Sequence, residues 1–354
     1  MSAPDPASLH AALAIAGGLV LDAVIGDPAA PWHPVRLLGR LAAGAESLAR
    51  RVLKARPVLA GASAWLAVVA VAAGSALALG RAARAVHPLA GLAVDTLVVW
   101  ASIAPADLSG HAARVRRALE AAERGEPGAL ERARSAVSML VGRDVSALDA
   151  PGVARACVES VAESSVDGAA APLFWAAMLG PAGAFAYRAV NTMDSMFGHK
   201  DERYLRFGLV PARADDVANW LPARLSSTLA CLLAPVAGGS PRAAFRSFAR
   251  WRLAHESPNA GHPEAAYAGA LGLRLGGPSR YAEGVIGKPW INPTGGEAAS
   301  THVRGAVRLM YAQALLSAAS FVALRIALWD ALWVALRGAS RAIIASIATI
   351  LASA

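Results

Sequence analysis

One uninterrupted apolar segment constrains the fold of this chain more than any other feature. Pro57 to Leu79 runs for 23 residues without a charged side chain, and about 20 apolar residues are enough for a helix to cross a bilayer. Charged residues make up only 17% of the chain, against about 25% in ordinary soluble domains. Together these features predict an integral membrane protein.

Further apolar runs predict that the chain crosses the membrane several times. We predict a single integral membrane domain over 1–354, with spans at 10–26, 57–79, 88–104 and 309–324. Polar loops are then expected at 27–56, 107–167, 188–216 and 239–305. Strand signals are sparse, and the second polar loop contains helix signals such as Asp149 before Pro151. The predicted fold class is all-α: a multi-pass integral membrane protein with helical cytoplasmic loops.

Two more apolar segments, 169–187 and 217–238, have residues that interrupt a continuous span. These residues are Pro172, Pro181, Pro222 and Arg224. Breaks of this kind are tolerated in a membrane only where protein or a water-filled cavity covers the backbone. We therefore expect both segments to be broken or re-entrant.

The net charge of +9 raises the question of a nucleic-acid partner. Such a partner would need a basic surface interleaved with stacking rings, but the aromatic residues here lie mostly in apolar runs. The arginines collect instead in loops such as 27–56, as cytoplasmic loops do. We therefore expect no nucleic-acid partner. The expected setting is the lipid bilayer of the cell (inner) membrane, with 27–56 and 107–167 in the cytoplasm.

The first polar loop combines chemistry-bearing side chains with rigid backbone. Asp27, His33 and Arg36 lie among several prolines and glycines, which restrict the loop conformation. Such a loop is suited to binding an anionic substrate. An ordinary turn at the membrane exit is an equally good interpretation.

Three acids follow at helical spacing. Glu159, Glu163 and Asp167 are four residues apart and share one helix face. Three carboxylates on one face repel each other unless they are neutralised, for instance by a divalent cation bound through oxygen ligands. The alternative is a solvated acidic face. We favour function, because the flanking residues are apolar and burial would make the charges costly.

A second group of acids lies between the two broken segments. Asn191 and Asp194 are three residues apart, Asp215 and Asn219 are four apart, and Asp216 is adjacent. Each pair can present oxygens on one helix face, and magnesium takes one or two carboxylates together with phosphate oxygens. The cations placed to hold phosphates are Lys200, Arg203, Arg206 and Arg224. A charged loop with helix caps is the competing interpretation.

Two later stretches have simpler explanations. Ser257 and Asn259 would serve as caps for a helix that begins near Pro263. Gly284 to Lys288 is similar to the end of a phosphate loop, but Pro289 stands where Ser or Thr is required and the glycine spacing is wrong. Any nucleotide site in this chain is therefore of another kind.

In order, these stretches resemble the membrane-bound adenosylcobinamide-phosphate synthases of cobalamin biosynthesis, the CobD/CbiB family. The matching motifs are Asp22, Gly26-Asp27-Pro28, His33-Pro34-Val35, Gly142-Arg143-Asp144, Glu159 to Gly168, Ala171-Pro172-Leu173, Asn191 to Met196, Asp215 to Arg224, Ser257 to Gly261 and Leu271-Gly272. The likeness covers roughly 15–290. Ser164 stands where the family often has Asn, and Glu256 fills the variable position of the His-x-Ser-Pro-Asn motif.

The resemblance implies a reaction and its participants. Adenosylcobyric acid, a corrinoid, is joined to (R)-1-amino-2-propanol or its O-phosphate with ATP hydrolysis and Mg²⁺, and other cobalamin-pathway enzymes are candidate partners. The catalytic residues expected are Asp27, His33, Glu159, Glu163, Asp167, Asn191 and Asp194. The metal ligands expected are Asp194, Asp215, Asp216 and Asn219. The substrate and phosphate contacts expected are Arg36, Arg143, Lys200, Arg203, Arg206, Arg224, Ser257 and Asn259.

Two other functions fit parts of the sequence. In a magnesium-dependent prenyl- or phosphotransferase, the Asp215 and Asn191 motifs would hold a lipid diphosphate. In a transporter, the ionisable residues inside apolar runs would mark a substrate path; these residues are Asp22, Asp95 and Arg325. The apolar segments at 169–238 are less continuous than a transferase needs, and the repeated halves expected of a transporter are absent from the sequence.

The topology can be tested by labelling. If one site uses all the motifs, 188–216 must face the same side as 27–56, which requires that 169–187 does not cross the membrane once. A cysteine placed at position 200 (Lys200→Cys) should react only with reagents that reach the cytoplasm. Labelling of that position from outside the cell would contradict the arrangement.

Overall fold

The fold is described by a computed structural model of the chain. It covers residues 5–353 except 29, 282 and 283, with side chains described up to Trp329 apart from those in 279–286. The helices are α1 (Pro6–Ile25), α2 (Pro34–Val52), α3 (Pro57–Val86), α4 (Pro88–Ser102), α5 (Pro105–Glu123), α6 (Ala129–Ser138), α7 (Ala150–Ser165), α8 (Ala171–Leu179), α9 (Pro181–Phe197), α10 (Leu209–Leu232), α11 (Pro241–Trp251), α12 (Gly261–Leu271) and α13 (Ser300–Ser353).

The short strands form one small excursion between α12 and α13. They are β1 (Leu275–Gly276), β2 (Ser279–Tyr281), β3 (Gly284–Ile286) and β4 (Trp290–Ile291). β1 pairs with β4 and β2 pairs with β3, both antiparallel, so the segment is a nested hairpin on a helical protein. The predicted all-α fold class is confirmed.

Four stretches of the described residues are long and apolar enough to cross a membrane. They are Pro6–Ile25, Pro57–Val86, Pro88–Glu123 and Ser300–Trp329, and each overlaps one of the predicted spans. Many of the helices begin with proline in the first turn, where its missing N–H costs nothing and its fixed φ is already helical. α4 packs between α1 and α3, and α13 packs along α5, α7, α8 and α10.

The ionisable residues inside the apolar helices all have local partners. Asp95 is paired with His10 at 2.7 Å and with Arg84, and Asp22 accepts the backbone N–H of Ala106 at 3.0 Å. Arg325 of α13 donates to the Ser8 hydroxyl at 3.0 Å and to the carbonyl of Ala177 at 2.7 Å. These contacts join helices to one another, which gives the three side chains a structural role.

Segment 169–187 turns back on itself. A π-helical turn, Val166–Ala170, joins α7 to α8, and α8 ends after only nine residues at Gly180. Gly180 has φ +78°, a conformation that costs glycine little, and α9 then returns packed against α8. The hairpin brings the residues before α8 next to those near the end of α9.

Segment 217–238 differs from the prediction, because Pro222 and Arg224 do not break it. α10 runs unbroken from Leu209 to Leu232, with Pro222 inside it. Pro222 has no N–H for the carbonyl of Ala218 one turn earlier. The indole N–H of Trp175 on α8 donates to that carbonyl at 3.1 Å. A side chain from the hairpin thus replaces the missing helical bond, which is how a buried proline is tolerated.

Replacing Trp175 should therefore destabilise the protein through this single bond. Trp175→Phe leaves the Ala218 carbonyl buried without a donor, which costs about 1–3 kcal/mol, and should lower the melting temperature in detergent by several degrees. Trp65→Phe is the matched control, since the Trp65 indole N–H is buried without a partner among the described residues. Equal losses in both variants would show that only ring volume matters.

Candidate functional site

Carboxylates from three separate parts of the chain line one cavity of about 570 Å³. They are Glu163, Asp167, Asp194, Asp215 and Asp216. The first two come from the end of α7 and the π-helical turn, Asp194 from α9, and the last two from α10. The loop before α12 closes another side with His255, Ser257 and Asn259. The cavity therefore brings together residues from the acid stretch 159–167, the two acid groups at 191–194 and 215–219, and the stretch 255–264.

Hydrogen bonds fix two of these carboxylates in a buried chain. The Tyr187 hydroxyl donates to Oδ1 of Asn219 at 2.8 Å, and Nδ2 of Asn219 donates to Oδ2 of Asp215 at 2.9 Å. Nδ2 of Asn191 lies 3.2 Å from Oδ1 of Asp215 and 3.4 Å from Oδ2 of Asp167. Both asparagines thus turn their N–H groups to the acids.

These hydrogen bonds give the two asparagines roles that differ from the expected ones. Asp215 and Asn219 do meet across one helical turn, as their spacing predicts, but Asn219 offers an N–H and its oxygen is taken by Tyr187. Asn191 contacts residues 24 positions away in both directions because the α8–α9 hairpin folds it back. Asn191 and Asn219 therefore orient carboxylates and leave any metal contact to the acids.

The acids raise one another's pKa. Burial raises the pKa of Asp215 to about 7, with Asp194 adding to the effect. Burial raises the pKa of Asp194 to about 6, with Asp216 and Glu163 adding to it. The pKa of Asp167 is raised well above its usual range by burial and then by Asp215. Burial also raises the pKa of Glu163, whose side chain is open to the cavity.

A cation would relieve this repulsion. Among the described residues none of Glu163, Asp167, Asp194 and Asp215 forms an ion pair with a basic side chain, and Asp216 has only Arg213 at 3.5 Å. No cluster of three or more His, Cys, Asp or Glu in the described part of the chain is arranged to hold a metal ion alone. The residues fit a magnesium ion that takes one or two carboxylates and completes its shell with phosphate oxygens.

Three residues at or behind the cavity wall, His255, Glu264 and Lys288, were not among the predicted site residues, and only His255 lines the cavity. His255 lines the cavity and lies 3.8 Å from Glu264, which is buried. The positive charge of Lys288 counteracts the burial-raised pKa of both Glu163 and Glu264. In the sequence, only the charged Glu264 directly after Pro263 indicated one of these residues. The position of Lys288 depends on how the β-hairpin folds.

His255 is arranged as a hydrogen-bond donor. Its Nδ1 accepts the backbone N–H of Ser257 at 2.9 Å, so the proton of the neutral ring lies on Nε2, which faces Glu264. Burial lowers the pKa of His255 and favours that neutral form. In this arrangement the ring directs its Nε2 proton towards Glu264.

The first-loop residues lie behind the cavity, outside its lining. Nε2 of His33 is 3.4 Å from Oδ1 of Asp27, and the His33 ring meets the edge of Trp100. Arg188 connects this pair to the site: burial lowers its pKa, while the charges of Asp27 and Asp167 raise it. The charge of Arg188, which the sequence interpretation did not include, therefore acts on both Asp27 and Asp167.

Glu159 is separated from the other two acids of its helix face. Nη2 of Arg143 donates to it at 2.6 Å and the backbone N–H of Gly276 at 2.7 Å. Both partners come from outside α7, one from the loop before it and one from β1. Glu159 and Arg143 therefore form a buried ion pair, and Glu159 also anchors β1 of the β-hairpin. Neither residue lines the cavity.

The expected phosphate-binding cations are dispersed. Lys200 is at the cavity, paired with Glu256 at 3.0 Å on an exposed rim. Arg203 and Arg206 line a different recess, where Arg203 pairs with Glu46 at 3.1 Å. Arg36 lies on the exterior of α2. The sequence of the 198–208 loop shows which basic residues are present, but it does not determine the direction in which each side chain points.

Arg224, Ser257 and Asn259 brace the wall of the cavity. Asn259 accepts from Arg224 at 3.2 Å and donates to the Asp216 carbonyl at 2.8 Å. The Ser257 hydroxyl accepts the N–H of Ala260 at 3.2 Å, just before α12 begins at Gly261. The predicted cap is wrong, because the N-cap position of α12 is Ala260 and no side chain caps the helix there. Asn259 instead holds α10 against the loop.

Comparison with known proteins gives a consistent result. The family model described as CobD/Cbib protein matches residues 15–310. The chain is 45% identical over 297 residues to "Cobalamin biosynthesis protein CobD" of Geobacter metallireducens, covering 83% of this chain and 90% of the relative. It is 41% identical over 308 residues to the protein of the same name from Klebsiella pneumoniae, covering 86% and 95%.

A third relative carries the other name of the same family. "Cobalamin biosynthesis protein CbiB" of Salmonella choleraesuis is 40% identical over 311 residues, covering 87% of this chain and 96% of the relative. No solved structure matches the chain.

The acid cluster predicts a characteristic pH dependence of stability. The pKa of Asp215 is 3.8 in the ordinary state and about 7 in the folded protein, so its contribution to stability is lost as pH rises through 7. The melting temperature of the ligand-free protein should fall by several degrees between about pH 5 and about pH 8. Asp215→Asn should flatten this slope, whereas Glu202→Gln, at an exposed carboxylate, should not. An unchanged slope in Asp215→Asn would contradict the assignment.

Proposed function

This chain belongs to the CobD/CbiB family, and on that premise we propose that it forms an amide bond in cobalamin biosynthesis with ATP as the source of energy. In this reaction a side-chain carboxylate of adenosylcobyric acid attacks the γ-phosphorus of ATP, which releases ADP. The nitrogen of (R)-1-amino-2-propanol, or of its phosphate, then attacks the acyl carbon. The C–N bond forms, the C–O bond to phosphate breaks, and the amine proton passes to a base.

The single observation that carries this proposal is the cluster of five carboxylates in the cavity, to which the sixth lining acid, Glu256 at the rim, does not belong because it pairs with Lys200. A transfer of phosphoryl from ATP depends on positioning and on charge neutralisation rather than on covalent protein chemistry. Among the described residues only Asp216 of the five acids forms a salt bridge with a basic side chain, so most of the negative charge in the cavity is left for cations that enter. The Mg²⁺ ion that accompanies the nucleotide and a protonated amine are cations of that kind.

Asp194, Asp215 and Asp216 are the residues that would hold magnesium. Mg²⁺ supplies neutralisation of the phosphate charge when it is bound. Asp215 is held in place by the two asparagine amides, and Asp194 lies close enough to Asp216 for its pKa to be raised. Asn219, predicted as a ligand, supports Asp215 in this arrangement.

Glu163 is the residue we assign as proton acceptor. Its carboxylate is open to the cavity, and burial raises its pKa, which makes the carboxylate a stronger base. The charge of Lys288 lowers the pKa of the same group. The amine reaches this group as an ammonium ion and loses its proton there.

The volume of the cavity determines which parts of the substrates can enter it. About 570 Å³ is within the range of pockets for ligands of drug size, which suits the phosphates and a three-carbon amine. The corrin ring is too wide to enter, so only its reacting side chain extends in. Lys200 and Glu256, both exposed at the rim, are placed to meet it. We place the cavity on the cytoplasmic side of the cell membrane, where ATP is present.

The proposal is tested by turnover of the purified protein. With adenosylcobyric acid, ATP, magnesium and each amine in turn, mass spectrometry should detect adenosylcobinamide or its phosphate. Asp194→Asn or Asp215→Asn should lower turnover about a hundredfold or more, with corrinoid affinity changed little. Glu202→Gln should behave as wild type.

Two outcomes would contradict the proposal. A joint loss of turnover, corrinoid affinity and melting temperature in the two Asp variants would mean that the acids only hold the fold. Release of diphosphate from a prenyl diphosphate, without amide formation, would identify a lipid transferase instead.

A further inference from the structure

Helix α2 has three stripes, each made of residues four, seven or eleven positions apart, which is close to whole turns of 3.6 residues and hence places them on one face. The first stripe is buried: Leu38, Ala42 and Ala49. The second is apolar and exposed: Leu37 at 49%, Leu41 at 37%, Leu48 at 65% and Val52 at 71%. The third is cationic: Arg36, Arg40 and Arg51.

The buried stripe attaches α2 to the membrane-crossing part of the protein. Leu38 and Ala42 share a core with Ala64 and Val68 of α3 and Met193 of α9. α2 therefore lies against a candidate span, at the end where the basic first loop leaves the membrane. Its apolar stripe faces away from the protein beside that span.

A groove next to the apolar stripe has the character of an acyl-chain site. It measures about 540 Å³ and lies between α2, α3 and α4, with Leu37 and Leu41 on one wall and Leu79 and Leu97 on the other. Its one hydroxyl, that of Ser75, is bonded to the Ala72 carbonyl of its own helix at 3.1 Å. Two walls of the groove are candidate spans, so it opens to the region of lipid tails.

The cationic stripe borders the apolar one and is not neutralised by the protein. Among the described residues Arg36, Arg40 and Arg51 form no ion pair with an acid; Arg50, on another face, takes Glu46. Arg36 and Arg40 line a shallow recess with Pro31. Unpaired guanidiniums beside an apolar face complement a lipid that carries a negative phosphate above its acyl chains.

We propose that α2 lies in the membrane interface and binds an anionic phospholipid, with an acyl chain in the α2–α3–α4 groove and the headgroup at the arginine stripe. Trp32, 64% exposed immediately before the helix, lies where aromatic side chains anchor proteins at the headgroup level. The cationic stripe matches the lipid headgroups, the exposed apolar stripe matches the acyl chains, and the buried stripe matches the protein. The lipid binds independently of the acid cavity and of the proposed reaction.

The test uses the full chain in nanodiscs that contain equal amounts of phosphatidylglycerol and phosphatidylcholine. Native mass spectrometry should show phosphatidylglycerol retained in excess on the wild type. Arg40→Gln with Arg51→Gln should reduce that excess by roughly fivefold for each arginine. Arg124→Gln with Arg132→Gln, which removes the same charge from the turn between α5 and α6, should leave it unchanged.

A second measurement tests the depth of the helix without depending on lipid retention. A spin label at Leu48→Cys should be accessible to oxygen and protected from a polar nickel reagent, while a label at Arg51→Cys should show the reverse. The proposal is overturned if the wild type retains both lipids equally, or if the two double variants lose phosphatidylglycerol alike. It is also overturned if the Leu48 label is buried by a second copy of the chain.

Discussion

The structure depends on one constraint: several carboxylates lie close together in a cavity where water solvates them poorly. A carboxylate that is buried beside another must be protonated, neutralised or hydrogen-bonded. Here the hydrogen bonds run from Tyr187 through Asn219 to Asp215 and from Asn191 to both Asp215 and Asp167. The asparagine amides supply donors without adding charge, so the acids keep their negative potential for a cation from outside. The helices around the cavity are placed so that these amides meet the acids.

Interruptions of regular helix make that placement possible. The π-helical turn at Val166–Ala170 and the reversal at Gly180 let α8 and α9 lie side by side, so Asp167 meets Asn191. A straight helix through the same segment would move those two groups more than 30 Å apart, at about 1.5 Å per residue over 24 residues. Pro222 would interrupt α10 in the same region, but the indole N–H of Trp175 on the α8–α9 hairpin donates to the Ala218 carbonyl that lacks its helical partner. The hairpin therefore brings the acids together and repairs the helix that carries two of them.

Sequence reasoning succeeded where a contact is local and failed where it is distant. The apolar runs predicted the membrane helices, and the four-residue spacing of Asp215 and Asn219 predicted their contact. The partnership assigned to Asn191 was changed by a hairpin whose geometry no spacing reveals. Glu159 was grouped with Glu163 and Asp167 by helical period, but Arg143 and Gly276 bind it from distant segments. Lys288, Glu264 and Arg188 gave little signal because each acts across the fold.

The contact of Arg325 has a consequence for how the protein is made. Arg325 belongs to the last apolar helix, and it donates to the carbonyls of Ala177 and Met178 at the tip of the α8–α9 hairpin and to Ser8 in the first helix. A chain leaving the ribosome acquires this side chain only after all the acids have been synthesised. Until then the end of α8 has carbonyls without donors, and the first and last helices are not joined. The contacts that join the first helix, the end of α8 and α13 through Arg325 can therefore form only after α13 has been inserted.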